Sequence, residues 1–158
     1  MISEAINMYL KYSKKSLFTS DIICNVRNLG SYMDKNMTMD AFVAIKVRNL
    51  NFLLRKIFRI RKFLTLLACK SLVQSLVISR LDYCNSLLFG ISNYHMKRLQ
   101  RVQNTAARLV CQATRYDSAV SLRYRLHWLP VSNRIIFRIL VFAYRCLLQT
   151  APVYLSEL

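Results

Sequence analysis

In the stretch SRLDYCNSLLFG, Ser79 to Gly90, an aspartate and a cysteine stand two residues apart. Each type carries its own chemistry. A carboxylate holds a metal ion or moves a proton, and a thiolate attacks a carbonyl or another sulfur. The spacing argues against a joint centre. On a helix, Asp82 and Cys84 project about 160° apart. A negative neighbour also disfavours a thiolate. Asp82 is therefore expected to hold an arginine from another element, because Arg80, two residues away on the same helix, faces elsewhere.

No other catalytic constellation is present. Metal-dependent polymerases and nucleases need two or more carboxylates on divalent ions. The closest acidic pair here is Asp34 and Asp40, one in a turn and one at a helix start, where the helix dipole favours it. His95 and His127 lack a metal-spaced or triad-like partner, and His127 sits in LHWLP, which reads as a packed corner. Gly30 and Gly90 lie too far apart to form a phosphate loop. Cys24, Cys69, Cys84, Cys111 and Cys146 form no CxxC pair, so no zinc site is expected, nor any other cofactor. They read as small reduced core residues of an intracellular protein. The chain is expected not to be an enzyme.

The charge points elsewhere. Twenty-four Lys and Arg face seven Asp and Glu, a net charge of +17. Such a field attracts polyanions, nucleic acid first and an anionic membrane surface second. The most apolar segment, IIFRILVFAYRCLL, is broken by Arg138 and Arg145, so no transmembrane segment is expected. A chain of 158 residues suits one domain, with or without an appendage. Two glycines and two prolines are too few for a sheet-rich fold with many tight turns, so a mainly α fold follows.

Residues 1–21 are polar and expected to be mobile or only partly helical. Ile22–Met33 reads as a strand or one arm of a hairpin around Gly30, with a turn at Asp34–Asn36 and no second convincing strand in the rest of the chain. Helical periodicity then predicts segments over about 39–61, 65–88, 92–113, 118–126 and 133–149, with Thr65 and Ser92 as N-caps and Gly90 as a stop. Pro152 opens a last turn.

On the 92–113 segment, Met96, Leu99, Val102, Ala106, Leu109, Val110 and Ala113 fall within about 140° of arc, and Lys97, Arg98, Arg101, Arg108 and Arg115 within about 100° on the other side. No acid lies between Asp82 and Asp117, so this face lacks the mixed signs of an ordinary solvated one. On the first helix, Arg48, Arg55 and Arg59 share about 40° of arc with Phe52 among them, and Phe52 is expected in the core with the arginines spread around it. LLRKIFRIRKFL concentrates Arg55, Lys56, Arg59, Arg61 and Lys62 in eight residues. Arg134, Arg138 and Arg145 make one narrow seam on the last helix, which otherwise reads as buried.

The stretches VRNLGSYMDKNMTMDAFV, SRLDYCNSLLFG, LQRVQNTAARLV, LHWLPVSNRIIFRILVFAYRCL and APVYLSEL, in this order, resemble the carboxy-terminal part of the reverse transcriptases of non-LTR retrotransposons of the jockey and chicken-repeat type. The likeness covers about residues 26–158. It implies a short β segment from the palm edge and a mobile start over 1–37, thumb-like helices over 38–90 and a helical carboxy-terminal extension over 91–158. Nothing matches the family's aromatic-Ala-Asp-Asp motif, its upstream aspartate or its endonuclease, so the resemblance implies a piece of an RNA-directed DNA polymerase without the catalytic palm. The partners expected are RNA, DNA or an RNA–DNA hybrid, and a palm or endonuclease portion encoded elsewhere. The backbone-binding residues expected are Arg48, Arg55, Lys56, Arg59, Arg61, Lys62, Lys97, Arg98, Arg101, Arg108 and Arg115. The alternatives are a decayed copy without function, or a basic module for membrane surfaces or protein partners.

Overall fold

The computed structural model describes residues 26–28, 31–33 and 38–152. The mobile segment expected at 1–21, the turn at 34–36 and most of the last turn after Pro152 lie outside the described residues. The expected strand is a hairpin: β1 (Val26–Asn28) pairs antiparallel with β2 (Ser31–Met33), Val26 opposite Met33 and Asn28 opposite Ser31. The run around Gly30, read as one strand or one hairpin arm, thus supplies both arms.

From Asp40 the chain is helical: α1 (Asp40–Ile60), α2 (Leu66–Val73), α3 (Ser79–Asp82), α4 (Asn93–Cys111), α5 (Ala119–Arg125) and α6 (Val131–Leu147). The caps are local. Thr65 Oγ1 accepts from the Ala68 N–H at 3.2 Å, and Ser92 Oγ accepts from the His95 N–H at 3.5 Å.

The helix expected over 65–88 is interrupted. A π-helical turn, Gln74–Ile78, separates α2 from α3. The helix then stops at Asp82, because Tyr83 is extended and Cys84 takes a left-handed conformation with φ 52°. A 3-10 turn, Asn85–Leu88, follows. Tertiary partners decide this break. The Lys46 ammonium takes the carbonyls of Leu81 and Tyr83, and Arg134 takes the Asp82 carboxylate. Cys84 therefore lies past the helix end, and the helical angle between Asp82 and Cys84 does not apply.

The helices on both sides of residue 90 contribute to one core running from Met39 to Ile139, with Val43, Leu50, Val73, Val77, Leu99, Ala106 and Val110 fully buried. Ala107, beside Ala106 on α4, is fully buried in it as well. Buried Gln103 is satisfied: its amide donates to Leu129 O at 2.8 Å, and its oxygen accepts from Gln100. Gln100 Oε1 in turn accepts the Val131 N–H, an orphan donor of the first turn of α6. This polar clasp seats α6 on α4. The packed corner at LHWLP is present through buried Trp128, whereas His127 itself is exposed.

The expectation that the last helix is buried is not met. Only Val131, Ile135 and Ile139 of α6 are buried, while Ile136, Phe137, Leu140, Tyr144 and Leu147 are exposed. The helix lies at the edge of the bundle and packs through one stripe. Its arginine seam divides, with Arg134 on Asp82 and Arg138 and Arg145 in solvent.

Candidate nucleic-acid interface

Helices α1 and α4 lie side by side and parallel. Near their N-termini, His95 Nε2 meets Asp40 Oδ1. At their C-termini, the Arg61 guanidinium bonds Leu109 O at 2.9 Å and Val110 O at 3.0 Å. Parallel helices direct the negative ends of their dipoles to the same place. Arg61 stands there, only 8% exposed, and its third hydrogen bond goes to Leu64 O at 2.8 Å. It neutralises that end without an acidic partner.

Between the helices runs a groove of about 740 Å³ lined by Asn51, Leu54, Arg55, Phe58 and Arg61 on one wall and Thr105, Arg108, Leu109, Gln112 and Ala113 on the other. Helical spacing continues the walls: Arg48 precedes Asn51 by three residues, and Arg101 precedes Thr105 by four. Arg48, Arg55 and Arg101 are exposed. Arg108 is half-buried, with one terminal nitrogen 3.3 Å from Asp117 O and a buried Nε that has no acceptor.

The structure thus brings Arg55, Arg61 and Arg108 to one groove. Arg61 leaves the set of residues available to a ligand, because all its hydrogen-bonding goes to main-chain carbonyls. Several of the others stand beside aromatic rings: Lys56 over Phe52, Lys62 over Phe63, Arg98 over Tyr94 and Arg115 over Tyr116. Arg59 and Lys97 are exposed on their helices. Phe52, expected in the core, is 53% exposed, since the core side of α1 is filled by Phe42, Val43, Leu50, Leu54 and Ile57. Phe58 was not singled out by sequence. It is 71% exposed on the groove wall. Its spacing from Asn51 and Arg55 would have placed it there.

The acids are occupied. Among the described residues they are Asp40 on His95, Asp82 on Arg134, and Asp117, whose carboxylate accepts from the Thr114 N–H and hydroxyl. Those Thr114 hydrogen bonds hold the Asp117 carboxyl below its usual range, with a smaller pull from Arg108. His95, read as lacking a metal-spaced or triad-like partner, meets Asp40 from α1. Its Nδ1 is buried without a hydrogen-bonding neighbour, so no nucleophile completes a triad there. Among the described residues, no cluster of His, Cys, Asp and Glu could hold a metal ion, and no helix is long and apolar enough to cross a membrane.

Lys46 is the strongest electrostatic anomaly. It is buried on the core side of α1, over the Phe42 ring, and donates to Tyr83 O at 2.7 Å and Leu81 O at 3.3 Å. Desolvation lowers its pKa from 10.5 to about 8, against the opposing pull of Cys84 and Asp82. Between these values the unfolded chain keeps the proton that the folded chain has lost, so stability rises with pH across that window. The expected rise is about 3 kcal/mol at most. Urea midpoints from pH 7.5 to 10.5 check it, and Lys46→Met should flatten the slope relative to the native chain.

No protein-family model, curated protein or solved structure matches the chain.

Proposed function

We propose that the chain binds nucleic-acid backbone through the cationic walls of α1 and α4, as a carboxy-terminal, thumb-like piece of a non-LTR retrotransposon reverse transcriptase. The observation that carries the binding is the sign of the groove. Arg55, Arg61 and Arg108 line it, Arg48 and Arg101 continue its walls by helical spacing, and no acid lines it, the carboxylate of Asp117 beside Arg108 being held by Thr114. Like charges held together destabilise a fold, and phosphates relieve them. The order of the quoted motifs supports the reverse-transcriptase origin, and the work it assigns to this piece is holding template and primer rather than polymerisation.

Binding of RNA and of an RNA–DNA hybrid, titrated with salt, tests the reading. Four phosphate contacts should give a log–log slope of about −3 to −4. A flat slope, or no binding at low salt, removes it. Binding to anionic vesicles without binding to RNA would shift the interaction to α6, where Arg138 and Arg145 stand among exposed apolar side chains.

A further inference from the structure

We infer that the groove between α1 and α4 takes one nucleotide of a single strand, its base against Phe58 and its phosphate between Arg55 and Arg108. The inference rests on the nucleic-acid reading above and narrows it from backbone in general to unpaired strand.

Three observations carry it. Phe58 offers a large apolar ring to solvent on a groove wall that also carries Arg55. An exposed ring beside cations is what a base needs for stacking, and every base has a face to stack. Arg108 keeps its Nε buried with no acceptor, while its single hydrogen bond, to Asp117 O, is long at 3.3 Å. That Nε is closed off from the groove, so a phosphate would meet the terminal nitrogens, in place of the long contact to Asp117 O. Across from it, Arg55 makes one hydrogen bond, from Nε to Asn51 O at 3.3 Å, which leaves its terminal nitrogens for an anion.

Arg61 makes the position suitable for an anion. The α4 C-terminus would otherwise present bare carbonyls to the phosphate. With Leu109 O and Val110 O held by Arg61, the floor of the groove is positive instead. Asn51, Thr105 and Gln112 add hydrogen-bonding groups for sugar or base edges. The volume, about 740 Å³, lies within the ordinary range for small-ligand sites. Bases stacked inside a duplex cannot turn out to meet Phe58 without unpairing, whereas those of a single strand can.

The test is fluorescence anisotropy with a labelled twelve-nucleotide oligo(U) and a twelve-base-pair RNA duplex of mixed sequence at equal salt, using the whole chain. The single strand should bind more tightly. Phe58→Ala should weaken oligo(U) binding about 10-fold and leave the duplex within twofold, and Phe58→Trp should restore the strand preference. Phe58 is exposed, so the melting temperature should not move. Arg108→Gln should weaken both ligands and lower the salt slope. Equal losses for both ligands on Phe58→Ala, or none for either, overturn the single-strand site while leaving backbone binding intact. Absence of binding to either ligand at low salt overturns the nucleic-acid reading itself and this site with it.

Discussion

Asp82→Asn should lower the free energy of unfolding by about 2–3 kcal/mol, and adding Arg134→Met should recover part of that loss. Arg134 grips both oxygens of Asp82, Nε to Oδ1 at 2.8 Å and a terminal nitrogen to Oδ2. The two side chains are only 21% and 19% exposed, so water screens the pair far less than it would on the surface. An exposed pair is worth about 0–1 kcal/mol, and breaking a buried one costs about 3–5 kcal/mol, so this partly buried pair falls between. Asparagine keeps the shape and removes the charge, leaving a guanidinium without its counter-ion. Replacing Arg134 with the apolar methionine then removes the stranded cation, which is why the double variant should be more stable than Asp82→Asn. Urea unfolding of the two single variants and the double variant closes the cycle. A loss under about 0.5 kcal/mol for Asp82→Asn would mean that the pair behaves as a surface contact.

The Asp82 pairing was legible in sequence because it followed from elimination: a lone acid in a basic chain, no second carboxylate, and an arginine on its own helix at the wrong spacing. Its partner was not legible, because Arg134 comes from α6, far along the chain. The same division holds elsewhere. The caps at Thr65 and Ser92 were visible because a hydroxyl reaches an N–H only three residues away. The ends of α4 and α6, expected at about 113 and 149, fall within two residues, at Cys111 and Leu147, but the stop at Cys84 was not visible, since it uses a left-handed residue that is not glycine, with φ of 52°. A glycine-poor chain lacks the usual punctuation, and tertiary contacts set its stops. For the groove, the helical wheel placed Arg101 and Arg108 on one face of α4, but it also placed Arg115 there, which lies past the helix end at Cys111 and its left-handed Gln112. It could not separate Arg61 from Lys62, because only the neighbouring helix reveals that Arg61 caps α4. It also put Phe52 inside, although five other side chains already fill that side of α1.

Reversing Arg48, Arg55 and Arg101 to Glu should weaken RNA binding on the order of 100-fold at moderate salt and flatten the log–log slope by about 2–3. All three are exposed, and the one hydrogen bond involved is Arg55 Nε to Asn51 O, so the fold should survive. Net charge would fall by the same amount if Arg125, Arg138 and Arg145 were reversed instead, and those residues are exposed on α5 and α6. The comparison separates two physical causes. A general field acts over distances up to the Debye length, about 8–10 Å in physiological salt, and weakens with every cation removed wherever it sits. A groove acts through contacts, so only its own walls count, and the slope reports how many contacts remain. Equal losses from the two triple variants would assign the binding to the field of the whole chain. A loss confined to Arg48, Arg55 and Arg101 would assign it to α1 and α4. Circular dichroism on both variants verifies that helix content is kept, and a small gain in melting temperature is expected where the like charges were densest, because the repulsion that nucleic acid would relieve is then already gone.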